Sequence, residues 1–203
     1  PGGLSGWSSM IRLAILGSTG SIGRSTLEVV ERHPDRFEVV ALSAHQDLET
    51  LAHQVHRHSP SVAVLSNERG FHAGDDLPKS QWLEGREALL DITEYPNVDV
   101  VVNALVGAAG LEPTIRTLQA GKRLALANKE SLVAGGDLVV AAAEKGGGDL
   151  IPVDSEHSAI LQCLECYDVG SVARLVLTAS GGPIRGWSRA DLKNAQPSNA
   201  LNH

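Results

Sequence analysis

The chain has 203 residues, 42% hydrophobic and only 3% aromatic, enough for one complete domain and the opening of a second, built around an aliphatic core. Seventeen Lys and Arg against 24 Asp and Glu give a formal charge of −7, which argues against nucleic acid as the main partner but leaves room for small anionic substrates held by a local positive site. No apolar run reaches membrane-spanning length, no charged-then-apolar leader precedes Met10, and the two cysteines, Cys163 and Cys166, make no disulfide framework, so a cytoplasmic protein with no membrane partner is expected.

Residues 1–9 read as a flexible leader or an added, non-native remnant before Met10, the expected native start. From there, short aliphatic runs alternate with longer segments of helical period. Strands are predicted at residues 11–16, 38–43, 61–65, 98–103, 124–127, 149–153 and 174–178. Helices are predicted at 21–32, 48–58, 81–90, 112–120, 132–144 and 158–166. Such alternation, with strands that are nearly continuous apolar runs, predicts an α/β fold: a Rossmann-like parallel sheet with helices on both faces. Gly146-Gly147-Gly148 is the expected hinge, with a domain boundary just after the strand that follows it.

Gly17-Ser18-Thr19-Gly20-Ser21-Ile22-Gly23 falls between the first strand and the first helix. There the first glycine permits a tight turn, the second lets backbone approach a pyrophosphate, and the third allows helix and strand to pack closely. The helix N-terminus adds unpaired N–H groups and a positive dipole end. A purely structural turn is the competing reading. The second predicted strand runs into Ser43-Ala44-His45-Gln46 with no acid at its tip, and Asp47 follows as a possible helix cap. This favours NADP over NAD, with His45 or the next turn's backbone left to meet the 2′-phosphate.

Two polar turns follow later strands. Asn128-Lys129-Glu130-Ser131 ends the strand at 124–127, where ligands bind in open α/β sheets. Lys129 suits a substrate oxygen or anion and Glu130 a ribose; the alternative is a solvated turn with Ser131 capping the next helix. Asp154-Ser155-Glu156-His157 follows the apolar run 150–153. In an extended chain Asp154 and Glu156 point to one side, a paired hard-oxygen set for Mg²⁺ or Mn²⁺. The alternative is an acidic helix start, with Asp154 or Ser155 as N-cap.

Together with Val106-Gly107-Ala108-Ala109-Gly110-Leu111 and Ser180-Gly181-Gly182-Pro183, these motifs resemble the 1-deoxy-D-xylulose 5-phosphate reductoisomerase family from Met10 to His203. The resemblance implies an oxidoreductase and isomerase of isoprenoid biosynthesis, acting on a phosphorylated sugar with NADPH and a divalent metal (Mg, Mn or Co), as a homodimer. It implies a cofactor domain over 10–153 and the opening of an α+β catalytic domain over 154–203. Residue by residue, it implies cofactor contacts at Thr19, Gly20, Ser21, Ile22, Ala104, Leu105, Val106, Asn128 and Glu130. Asp154 and Glu156 match metal ligands. Lys129, Ser155 and Glu156 match catalytic residues, and Lys129, Ser155, Ser180 and His203 substrate contacts. The family pattern continues beyond His203 with a third acidic ligand and a helical domain, so NADPH binding without turnover is expected of these residues alone. Ile184 and Gly186-Trp187 depart from the family's usual residues.

Two other functions stand beside this one: a nucleotide-binding module without catalysis, and another NADP oxidoreductase such as a semialdehyde dehydrogenase. The latter needs a nucleophilic cysteine, and Cys163 and Cys166 fall late in a helical stretch. His53, His56 and His58 are expected to form a polar helix face rather than a metal site, and Trp82 and Trp187 to anchor packing or loops.

Overall fold

The structure, a computed structural model, describes residues 10–67, 71, 76–165, 167–178 and 181–201. They divide into two compact units, one running to Ser158 and the other starting at Ala159.

In the first unit seven strands form one sheet: β1 (Ile11–Leu16), β2 (Phe37–Ala44), β3 (Val62–Leu65), β4 (Gln81–Glu84), β5 (Val100–Asn103), β6 (Arg123–Leu126) and β7 (Asp149–Pro152). Their order is β4-β3-β2-β1-β5-β6-β7, and every pairing is parallel. Helices α1 (Ser21–Arg32), α2 (Leu48–His58), α3 (Gly85–Asp91), α4 (Leu111–Gln119) and α5 (Glu130–Gly146) connect them. Successive strand residues point to opposite faces. Ile11, Leu13 and Ile15 of β1 therefore join Leu27 and Val30 of α1 and Leu51 and Val55 of α2 in one apolar cluster. Ala14 and Leu16 join Leu89 of α3, Leu118 of α4 and Val139 of α5 in another. The expected parallel sheet with helices on both faces is the observed fold. Each fully buried Leu or Ile in these clusters contributes about 1.5–3 kcal/mol.

Polar ties fix the sheet end away from the strand tips that carry the site. Arg12 donates from Nε and Nη2 to the two Asp99 oxygens at 2.9 and 2.7 Å, and its backbone N–H donates to Asp99 Oδ2 at 2.9 Å. Lys122 Nζ donates to the carbonyls of Tyr95 and Val98 at 2.6 and 2.7 Å.

Three expectations are corrected. Residues 81–90 are not one helix: Gly85, at φ +84°, separates edge strand β4 from α3. Only a residue tolerant of positive φ allows that sharp change of direction. Gly146-Gly147-Gly148 is not a loose hinge. Gly147 closes α5 in the left-handed conformation, and a Cβ on Gly146 would lie 2.2 Å from the Leu118 carbonyl oxygen. The glycines serve close approach to α4. Residues 174–178 form no strand, because an extended run needs a neighbouring strand for its N–H and C=O groups, and none pairs with it among the described residues. Leu175, Val176 and Leu177 are accordingly exposed.

α6 (Ser155–Leu164) begins in the first unit and carries the chain into the second. The second unit continues with 3-10 turns at Val169–Ser171 and Gly182–Ile184, then α7 (Arg189–Lys193) and α8 (Pro197–Ala200). Ser188 caps α7 by accepting from the Asp191 N–H at 3.2 Å. Among the described residues, no helix is long and apolar enough to cross a membrane.

Candidate active site

β1 has β2 on one side and β5 on the other, so the order of strands reverses at β1. Open α/β sheets bind ligands outside the carboxyl ends of the strands at such a reversal. Leu16 and Asn103 are paired there, and a cavity of about 480 Å³ opens beyond them. Gly17, Thr19 and Gly20 line it from the β1 side, Ala104, Leu105 and Val106 from the β5 side. His45, Ser66, Arg86, Leu89 and Ala109 complete its walls.

The glycine turn is built for close backbone approach. Gly17 has φ +76°, and a Cβ there would lie 2.9 Å from the Ala104 carbonyl oxygen. A Cβ on Gly23 would lie 2.4 Å from the Gly17 carbonyl oxygen and 2.5 Å from the Ser18 Cα. A Cβ on Gly20 would meet nothing closer than 3.4 Å, so this residue leaves open space where the cavity lies. Among the described residues no side chain caps α1, and its first N–H groups stay open to an anion. The turn is also pinned from below. Ser18 is buried and donates to Gln54 Oε1 at 2.7 Å, while Gln54 Nε2 donates back to the Ser18 carbonyl at 2.9 Å. A rigid turn with open N–H groups and a glycine-shaped gap fits the pyrophosphate of a dinucleotide. Ser21 and Ile22 begin α1 beside the cavity rather than in its wall.

At the β2 tip, Asp47 takes the capping role: its side chain accepts from the Thr50 N–H at 3.1 Å and starts α2. That leaves His45, whose Nδ1 lies 3.2 Å from Ser66 Oγ at the β3 tip. Asn67 Oδ1, next in the chain, is buried with no partner among the described residues.

Asn128 is buried rather than presented to the cavity. Its Nδ2 donates to the carbonyls of Leu105 and Gly107 at 2.7 and 2.9 Å, and its Oδ1 accepts from the Ser131 N–H at 2.9 Å and from the Ser131 hydroxyl. Asn128, not Ser131, therefore supplies the side-chain acceptor at the start of α5. It staples the wall formed by residues 105–107 to the β6 tip. Asn103 adds a second staple, donating from Nδ2 to the Gly110 carbonyl and to Thr114 Oγ1, both at 2.9 Å.

A second group of polar residues stands at the tips of β6 and β7. Lys129 Nζ donates to Asp154 Oδ2 at 3.0 Å, and His157 Nδ1 lies 3.5 Å from Asp154 Oδ1. Asp154 immediately precedes α6, and its carbonyl accepts from the Ser158 N–H at 2.8 Å. The Lys129 hydrogen bond, with smaller help from the His157 backbone N–H and ring, holds the Asp154 carboxyl below the usual carboxylate range, and Asp154 in turn raises the Lys129 ammonium. Glu156 lies in the first turn of α6, with Ser155 Oγ donating to its Oε2 at 2.7 Å. The two acids are thus not side by side on an extended chain: one precedes the helix and the other is wound into it. Among the described residues, no three His, Cys, Asp or Glu side chains converge as a metal cluster. Two hard carboxylates still suit Mg²⁺, which takes one or two from protein and fills its shell with water and substrate oxygens. Glu130 starts α5, exposed and outside the cavity wall. Ser180, His203 and Cys166 lie outside the described residues. Cys163 is a free, exposed thiol, and His58 at the end of α2 packs 3.3 Å from Glu31 of α1, with its side chain only 8% exposed.

Arg86 and Ser66 were not candidates from sequence. Reading 81–90 as one helix hid the fact that Arg86 follows a parallel strand tip, the position where ligands bind.

A doubly wound parallel sheet with a phosphate-fitting glycine turn at its switch point defines a Rossmann-like, dinucleotide-binding type of α/β fold. Family models for 1-deoxy-D-xylulose 5-phosphate reductoisomerase match residues 13–136, and for its C-terminal domain residues 150–203. The chain belongs to the 1-deoxy-D-xylulose 5-phosphate reductoisomerase family. It is 50% identical over 194 residues to that enzyme of Mycobacterium marinum, covering 95% of this chain and 47% of the relative. The Zymomonas mobilis enzyme solved with NADPH superposes with a TM-score of 0.81 at 37% identity, over 96% of this chain and 52% of that one. A reductoisomerase solved with NADPH, fosmidomycin and magnesium superposes at 0.76 with 38% identity, over 96% of this chain and 51% of that one. The chain spans about half the length of the relatives it matches.

Proposed function

We propose that this chain carries the cofactor cleft and two metal ligands of a reductoisomerase that converts 1-deoxy-D-xylulose 5-phosphate to 2-C-methyl-D-erythritol 4-phosphate with NADPH and a divalent ion. One observation carries this reading. The glycine turn and residues 104–106 face each other at the switch point, and the Lys129–Asp154 pair stands at the tips of β6 and β7, beside β5. The NADPH and magnesium bound by the solved relatives support both cofactor assignments.

Thr19, Gly20 and the first α1 N–H groups, of Ser21 and Ile22, hold the pyrophosphate. Ala104, Leu105 and the exposed Val106 form an apolar wall for the cofactor, and Asn128 fixes that wall from beneath. Glu130 lies near the same strand tip and contacts the cofactor's ribose. Lys129 balances negative charge on a substrate oxygen; Ser155 orients the substrate beside it. Asp154 and Glu156 would hold Mg²⁺ or Mn²⁺, which when bound supplies Lewis-acid polarisation of the substrate oxygens. The same reading gives Ser180 a substrate-phosphate contact and His203 a place in a closing flap. It brings with it a homodimeric, cytoplasmic protein.

The test is a fluorescence titration of the chain with NADPH, followed by Mn²⁺ titration of wild type, Asp154→Asn and Glu156→Gln. Saturable NADPH binding is expected, with Mn²⁺ affinity falling at least about tenfold in each variant, the loss that even outer-shell changes cause. No saturable NADPH binding, or Mn²⁺ affinity indifferent to both substitutions, overturns the reading.

A further inference from the structure

We infer that Arg86 is the residue that selects NADPH over NADH, by meeting the 2′-phosphate of the adenosine half; this rests on the cofactor reading above. A nearby Arg commonly accommodates the 2′-phosphate, and the turn at the β2 tip, His45-Gln46-Asp47, carries no Lys or Arg. The fold brings one from elsewhere. Arg86 lines the same cavity as His45 and Ser66, although β4 separates it from them along the chain and it lies in the first turn of α3.

Three observations favour a phosphate as its ligand. The guanidinium has five N–H donors in a planar fork suited to phosphate oxygens. Among the described residues it donates one bond, from Nη2 to Glu112 Oε2 at 2.7 Å, and its side chain is 47% exposed. Second, its counter-ion is shared: Glu112 also lies 3.5 Å from Arg116 Nη2, so the carboxylate orients Arg86 without belonging to it alone. Third, the one acid at the β2 tip is engaged elsewhere. Asp47 caps α2 through the Thr50 N–H, and among the described residues no carboxylate lines the cavity. His45 and Ser66, 3.2 Å apart, add hydrogen-bonding groups to the lining of the same cavity. A carboxylate there would instead favour the free ribose hydroxyl of NADH.

The experiment is fluorescence titration of the 203-residue chain with NADPH and with NADH, in wild type, Arg86→Gln and Arg86→Lys. Hydrogen bonds to charged groups are worth enough to change affinity by about tenfold to a hundredfold. Arg86→Gln is expected to raise the NADPH Kd by about that factor and to leave the NADH Kd within about twofold; Arg86→Lys, which keeps the charge but loses the fork, is expected to fall between. Equal losses for both nucleotides, as removal of an adenine-stacking group gives, overturn the inference. So does Arg86→Gln with an unchanged preference for NADPH. A wild-type chain that binds neither nucleotide overturns the cofactor reading itself, and the inference with it.

Discussion

Gly23→Ala and Gly20→Ala separate the structural from the ligand-facing glycine of one turn. A Cβ on Gly23 would lie 2.4 Å from the Gly17 carbonyl oxygen, 2.5 Å from the Ser18 Cα and 2.6 Å from the Ser18 carbonyl carbon. Ordinary contact begins at 3.4 Å, so α1 or the turn must give by about 1 Å. All three neighbours are backbone, so no rotamer change relieves the contact. Overpacking of this kind costs about 1–3 kcal/mol, and alanine's better helix propensity returns up to about 1 kcal/mol. The net loss for Gly23→Ala spans about 0–3 kcal/mol and centres on about 1–2 kcal/mol, with NADPH affinity falling as well because the displaced segment is the phosphate turn. Gly20→Ala is different: its Cβ meets nothing closer than 3.4 Å, and φ −73° with ψ 172° suits any residue. It is expected to keep stability within about 0.5 kcal/mol while weakening NADPH, because the methyl group occupies space left for the pyrophosphate. Urea denaturation and NADPH titration read the two effects separately. The reasoning is refuted if Gly23→Ala matches wild type in both, or if Gly20→Ala loses as much stability as Gly23→Ala.

Asp99→Asn removes the partner that grips Arg12 at 2.7 and 2.9 Å, and a loss of about 1 kcal/mol is expected once partial exposure is discounted. The Arg12 hydrogen bond holds the Asp99 carboxyl below its usual range; a depressed folded-state value means that this stability is present above the unfolded carboxylate range and disappears as pH falls through the folded one. Wild type and Asp99→Asn should therefore differ in urea midpoint at neutral pH and converge in acid. Asn128→Ala strands the Leu105 and Gly107 carbonyls and the Ser131 N–H, at a cost of about 2–4 kcal/mol, and should raise the NADPH Kd without any direct contact to the cofactor; unchanged binding in a folded variant would contradict the stapling role.

Local signals made much of the fold legible. The period of Gly23, Leu27 and Val30 and the apolar run of β1 are each contained in their own segment, and the predicted bounds of β1, α1 and α2 coincide with the observed ones. Edge strand β4 was not, because four residues with Trp82 and Leu83 beside Leu89 and Leu90 also fit a helical period; the positive φ of Gly85 decides between them, and only the structure displays it. The site divides the same way. The glycine turn lies in one stretch of chain. The Lys129–Asp154 bond joins residues that meet only because β6 and β7 are neighbours, and Arg86 reaches the cavity by packing of α3 near the start of α4.

Backbone amide shifts of the chain on titration with NADPH test the central claim most directly. Binding at the switch point predicts the largest changes in residues 17–23 and 104–110, with smaller ones at His45 and Arg86. A second, larger cavity of about 640 Å³ lies between α1 and α2, lined by Arg24, Glu31, His53 and Arg57 among others. Shifts confined to that groove, or none at saturating NADPH, would contradict the account.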